Sequence, residues 1–198
     1  NLKKAVIKLN DGFSGDGNAI LKYPEHISKK EMYDWTHHNL HKSIIPVAKD
    51  LSMKMFLEKF ELMQGIVEEF VEGEVKASPS VQCRINPLGE VDVISTHDQV
   101  LGGESGQVFL GAHFPAHAAY RVEIAQIGKA IAGELKKAGV LGRFSIDFVS
   151  VKEKETWKHY AIEINLRKGG TTHPFLMLQF LTNGYYDENT GLFETPGK

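Results

Sequence analysis

GRFSIDFVSVKEKETWKHYAIEINLRKGGTTHPF, residues 142–175, is the stretch on which the reading of this chain turns. Residues 144–151 alternate apolar and polar, as do 159–166, and KEKET (152–156) between them has the character of a charged surface turn. Two adjoining strands are therefore expected. Asp147 sits between Ile146 and Phe148, and Glu163 between Ile162 and Ile164. Glu163 and Asn165 are two apart on one strand and so share a face. With Asp147 directed across from the neighbouring strand, three hard oxygen donors meet, a set suited to Mg²⁺ held jointly with phosphate. Two carboxylates equally suit general acid–base work, and the solvated face of a half-buried sheet would show the same letters.

Just downstream, Leu166-Arg167-Lys168-Gly169-Gly170-Thr171-Thr172-His173-Pro174 places two cations, two glycines and two hydroxyls before an apolar helix expected over 172–181. Such a junction can bind an anion, or be an ordinary strand-turn-helix corner with threonine caps. At the other end of the chain, the strand AVIKL (5–9) runs into NDGFSGDGNA (10–19). Lys8 precedes Gly12, Ser14, Gly15, Gly17 and Asn18, so a mobile positive charge adjoins backbone that can approach phosphate oxygens closely. The spacing is neither that of a P-loop nor GxGxxG, and a glycine-rich hairpin with a surface lysine gives the same pattern.

Between these ends, 51–63 carries apolar residues at helical spacing, 66–71 reads as a strand, and 80–95 as a hairpin turning at Asn86-Pro87-Leu88-Gly89. A further strand is expected over 107–112 and a long helix over 119–138, with Ile124, Ile127, Ile131 and Leu135 on one face. Residues 20–48 and 183–198 give no clear element. His37 and His41 are one helical turn apart beside His38, a zinc-like spacing without a further ligand in sight. His97, His113 and His117 form no hydrolytic signature, and no GxSxG elbow occurs. A lobe boundary is expected near 74–79.

Composition narrows the classes. The chain has 198 residues, 42% of them hydrophobic, with 23 Lys+Arg against 25 Asp+Glu and a formal net charge of -2. That argues against a broadly basic nucleic-acid binder. A single cysteine, Cys83, excludes an internal disulfide framework and a multi-cysteine zinc site. No apolar run approaches the roughly 18 residues that span a bilayer. The expected setting is cytoplasmic, with neither nucleic acid nor membrane as partner.

The motifs together resemble the ATP-grasp superfamily, and within it the peptide ligases of the pheganomycin type. The matching stretches are VIKLNDGFSGDGNA (6–19), VEEFVEGE (67–74), STHDQVLGGESGQVFLG (95–111), GRFSIDFV (142–149), AIEINLRKGGTTHPF (161–175) and LTNGYYDENTGLF (181–193). The resemblance implies an α+β fold of two lobes with the nucleotide in the cleft between them, 1–74 forming the N-terminal lobe and 75–198 the C-terminal lobe. It implies that Lys8 contacts the ATP phosphates and that Gly12, Ser14, Gly15, Gly17 and Asn18 belong to the flap over them. Glu68, Glu69 and Val71 would hold adenine, and Glu74, or Glu72 less securely, the ribose. Asp147, Glu163 and Asn165 would ligate two Mg²⁺ ions.

The implied reaction is ATP-dependent carboxylate–amine ligation through an acylphosphate, with small-molecule or peptide acids and amines as substrates. Lys8 and Arg167 are its candidate catalytic residues. Arg167 would grip the acylphosphate or a substrate carboxylate, with Arg84 and Arg143 as secondary candidates and Lys168 and His173 as possible aids to substrate binding. Members of the superfamily carry a preceding domain, so this chain is expected to be an excised portion of a longer protein whose upstream domain is missing. The alternative is a nucleotide-binding regulatory module with the same fold and no ligase turnover.

Overall fold

The computed structural model describes residues 3–11, 17–102 and 108–197. The chain divides into two compact units: one runs to Val71 and also takes in Gly102 and Val108, and the other holds Glu72–Leu101 and Phe109 onward.

In the first unit, β1 (Lys4–Leu9), β2 (Asn18–Lys22), β3 (Ile44–Pro46) and β4 (Gly65–Glu69) form an antiparallel sheet ordered β3-β2-β1-β4. Its apolar side, Ala5, Ile7, Leu9, Ala19 and Leu21, packs around Phe56 of α2 (Met53–Met63), a ring with no exposed surface. Full burial of one such side chain is worth roughly 1.5–3 kcal/mol. The uncommitted stretch 20–48 contains a polar helix, α1 (Lys29–Ser43), with no buried residue. What starts it is a capping box: the Ser28 hydroxyl accepts from the Glu31 amide and the Glu31 carboxylate accepts from the Ser28 amide.

In the second unit, β6 (Pro79–Ile85), β7 (Val91–Gly102), β8 (Val108–His113), β9 (Gly142–Glu153) and β10 (Thr156–Asn165) are ordered β10-β9-β6-β7-β8, with β5 (Val75–Ala77) also paired to β9. The long helix α3 (Arg121–Lys137) covers one face and buries Ile124, Ala125 and Ala132 against Val81, Cys83, Phe144, Ile146 and Phe148. A two-residue loop, Lys154 and Glu155, joins β9 to β10, with Lys154 in the left-handed region at φ 57. The apolar helix α4 (Thr172–Thr182) follows, and the tail forms a small hairpin of β11 (Tyr185–Asp187) and β12 (Leu192–Glu194). The fold is α+β, with helices laid on antiparallel sheets. Among the described residues no helix is long and apolar enough to cross a membrane.

His97 on β7 is 3% exposed, its Nε2 is 2.8 Å from the Ser95 hydroxyl, and its ring meets Phe114 and Phe175. Burial pushes its pKa down to about 4. An unfolded histidine titrates near 6.5, so between those values the unfolded chain binds a proton that the folded chain refuses. Stability is therefore expected to fall as pH drops from about 6.5 to about 4, by roughly 3 kcal/mol from this group. Denaturant unfolding of the wild type and His97→Gln at pH 7 and pH 4.5 checks this: the variant should lack that share of the acid loss.

Candidate functional site

The face of the second unit's sheet away from α3 is polar, and antiparallel register arranges its side chains in rows, because directly opposed residues share a face. Ser80 lies opposite both His97 and Asp147, and Asp147 opposite Glu163. Gln82 lies opposite both Ser95 and Ser145, and Ser145 opposite Asn165. Arg84 lies opposite Asp92 and Arg143. Of the three oxygen donors expected to meet, Asp147 and Glu163 are direct cross-strand partners, and the Asn165 amide donates to Asp147 Oδ2 at 3.0 Å.

Burial pushes the Asp147 carboxyl above the usual carboxylate range, opposed by hydrogen bonds from Ser80, Gln99 and Asn165 and by the Arg167 charge. Arg167 donates from Nη2 to Asn165 Oδ1 at 3.1 Å, so guanidinium, amide and carboxylate form one chain. Thr172, at the start of α4, donates to Gln82 Oε1 and accepts from the Gly169 amide, which fastens the Lys168–Thr171 turn above the sheet. Lys168 and His173 are exposed there. Ser80, Gln82 and Gln99 were not singled out from sequence. Their signal was polarity at Ser80 and Gln82, positions that alternate with Val81 and Cys83 and continue the face of Arg84.

A cation would suit this donor set. The oxygens are hard, the Asp147 carboxyl is half-buried, and Arg167 can release the Asn165 oxygen it now holds. Among the described residues no group of three or more His, Cys, Asp and Glu could hold a metal. Two carboxylates and an amide leave most of a Mg²⁺ shell to be filled by phosphate oxygens or water, which is how that ion is ordinarily held.

The first unit contributes a separate group. Lys8 lies opposite Asn18 on β2 and Ile66 on β4, and its ammonium is 2.5 Å from Glu68 Oε2. Gly17 is buried, its carbonyl accepting from the Leu9 amide. Glu68 is opposite Val6 and Glu69 opposite Ala5, so the neighbouring acids go to opposite sides of the sheet, with Glu68 on the side of Lys8. Val71 follows β4 and ends the first unit's main segment; Glu74, exposed, falls in the second unit. Gly12, Ser14 and Gly15 lie outside the described residues. The Cys83 thiol is buried, and desolvation with the Glu188 charge pushes it up to about 12, so it is no nucleophile.

A family model described as IQCH-like, ATP-grasp matches residues 38–189. The L-propargylglycine–L-glutamate ligase of Streptantibioticus cattleyicolor is 43% identical over 109 residues, which is 55% of this chain and 21% of that protein. Two solved structures share the fold. The biotin carboxylase domain of the Hydrogenobacter thermophilus 2-oxoglutarate carboxylase, with MgADP and bicarbonate, gives a TM-score of 0.58 at 16% identity, over 94% of this chain and 35% of that one. The N5-carboxyaminoimidazole synthetase of Staphylococcus aureus, complexed with ADP, gives 0.53 at 12% identity, over 95% and 39%. This chain thus spans only a minor part of each relative.

Proposed function

Because this chain belongs to the IQCH-like ATP-grasp family, we propose that it is the nucleotide-handling part of an ATP-dependent carboxylate–amine ligase. The observation that carries the reading is the facing pair Asp147 and Glu163, with Asn165 bonded to Asp147 and Arg167 to Asn165. Kinship with an amino-acid ligase supplies the substrate class, an amino-acid or peptide carboxylate joined to an amino-acid amine. INLRKGGTTHP further suggests the pheganomycin type of peptide ligase.

In this reading a carboxylate oxygen attacks the γ-phosphorus of ATP, the β,γ P–O bond breaks, and ADP leaves. The amine nitrogen then attacks the acyl carbon, the C–N bond forms, phosphate departs and the nitrogen loses a proton. Asp147, Glu163 and Asn165 would hold Mg²⁺, in one or two ions, which neutralises charge on the transferring phosphoryl group. Lys8 exchanges Glu68 for the phosphate tail, and Gly12, Ser14, Gly15, Gly17 and Asn18 are assigned to the same phosphates. Val71 and the acids Glu68, Glu69 and Glu74 serve the adenosine. Arg167 faces the acylphosphate from the metal-holding end of the sheet. The 1–74 and 75–198 portions are assigned here as the N- and C-terminal ATP-grasp lobes.

The test is calorimetric titration with a non-hydrolysable ATP analogue, with and without Mg²⁺, on the wild type and Glu163→Gln. Mg²⁺-dependent binding is expected, weakened on the order of tenfold or more in the variant. In the full-length protein, ADP release should need both an acid and an amine. Mg²⁺–nucleotide binding with no substrate-dependent turnover would replace ligation with a regulatory nucleotide-binding role, and absence of binding there would remove both.

A further inference from the structure

Arg84 and Arg143 are direct cross-strand partners on the polar face of the second unit's sheet, at the opposite end from Asp147. Side chains so opposed have Cβ atoms about 4.5–5.5 Å apart, and two like charges there repel. Burial first, and then the Arg84 charge, lowers the Arg143 pKa, with Asp92 acting the other way. Asp92 is opposite Arg84 on β7, so two cations and one anion occupy this row. Among the described residues neither guanidinium lies within ion-pair distance of a carboxylate. The chain as a whole carries a net charge of -2, so this local excess of positive charge is not a by-product of general basicity.

The row lies two rows from Asp147 and Glu163 and next to the one that holds Asn165. Arg143 precedes Asp147 by four residues on β9, about 13 Å along the strand at the usual rise. Between them lies the row of Gln82, Ser145 and Asn165, over which Thr172 and the Gly169 turn are fastened. A group bound at the arginines therefore sits beyond that turn, several bonds away from any atom that reacts beside Asp147. Planar guanidiniums side by side suit a planar carboxylate, which takes parallel N–H bonds and relieves the repulsion between them.

We propose that Arg84 and Arg143 form a subsite for the free carboxylate of an amino-acid- or peptide-class substrate, anchoring it away from the reacting amine. This rests on the ligase reading above and extends it from the reacting centre to the substrate's remote end.

The test is a titration of the full chain, labelled with ¹⁵N-arginine, followed at the side-chain Nε–Hε resonances. The probes are L-alanyl-L-alanine, its C-terminal amide, inorganic phosphate, and sodium chloride at matched ionic strength. The dipeptide acid is expected to shift Arg84 and Arg143 saturably, and its amide and chloride to leave them unmoved. Arg84→Gln and Arg143→Gln should each weaken the dipeptide by about tenfold, the scale of one lost charge-assisted bond. Arg143→Lys should restore only part of the loss, because an ammonium cannot take both carboxylate oxygens in parallel. Equal response to acid and amide, tighter binding of phosphate than of the dipeptide, or unchanged affinity in either glutamine variant overturns the proposal. A Mg²⁺–nucleotide titration of the same sample separates the two readings. Nucleotide binding without a dipeptide response sinks the subsite alone, whereas a dipeptide response without nucleotide binding sinks the ligase reading and leaves a carboxylate site.

Discussion

Replacing Asp147 by asparagine is expected to weaken Mg²⁺-dependent nucleotide binding by on the order of 100-fold or more, since even residues behind a metal's direct ligands cost 10–100-fold. The substitution keeps the shape of the side chain and removes its charge. Without metal, that charge is a burden: burial raises the Asp147 pKa despite donors from Ser80, Gln99 and Asn165 and the nearby Arg167. A carboxyl whose folded pKa lies above its unfolded value costs stability as pH rises past the unfolded value, and asparagine escapes that cost. The metal-free variant should therefore melt no lower than the wild type at neutral pH. Calorimetric titration paired with a thermal melt reads both quantities. Wild-type affinity in a folded variant would remove Asp147 from the metal set; a large drop in melting temperature would mean the carboxylate serves the fold.

The second large effect is expected at Gly65, where β4 leaves helix α2 and pairs with β1. A Cβ there would lie 2.1 Å from the Lys8 carbonyl oxygen and 2.8 Å from the Phe60 ring. Backbone cannot step aside as a side-chain tip can, so Gly65→Ala has to push β4 away from β1. A cost above about 4 kcal/mol is expected, among the exceptional values for a single substitution. That corresponds to a fall in melting temperature of roughly 10 °C or more for a chain of this size. The same shift would carry Glu68 away from Lys8, because both depend on the β1–β4 register. Gly133→Ala is the control: it lies inside α3 with open space around it, so the methyl should stabilise by about 0.5–1 kcal/mol. A Gly65 variant as stable as the wild type would show that the strand edge can yield.

Much of this was legible because local pattern was strong. The alternation in 144–151 and 159–166 and the helical spacing in 51–63 and 119–138 are dictated by one buried face, and those elements appear as read. Helix α1 was not legible that way, since it buries no residue and only Trp35 and Leu40 pack, partly buried, against the core; its clearest signal was the Ser28–Glu31 cap. Strands β2 and β3 are short and draw their partners from the sheet rather than from their own letters. For the site, Glu163 and Asn165 shared a face by spacing alone. Their alignment with Asp147 depended on strand register, and that of Ser80 and Gln82 on pairing between β6 and β9, which are distant in sequence. The facing of Arg84 and Arg143 is equally non-local, so single-strand alternation could not pair them.

The loop of Lys154 and Glu155 has a kinetic consequence. Asp147, Glu163 and Asn165 all lie on the two strands that this loop joins, so they can be aligned by closing one short hairpin, a microsecond-scale event in small chains. Ser80 and Gln82 reach the same face only after a far longer stretch of chain, including α3, has been closed. Such closure carries a larger entropic cost and comes at a slower rate. The carboxylates would thus be in register before the sheet that half-buries Asp147 exists, and the charge that a cation is proposed to meet would be fully solvated until the late pairing of β6 with β9.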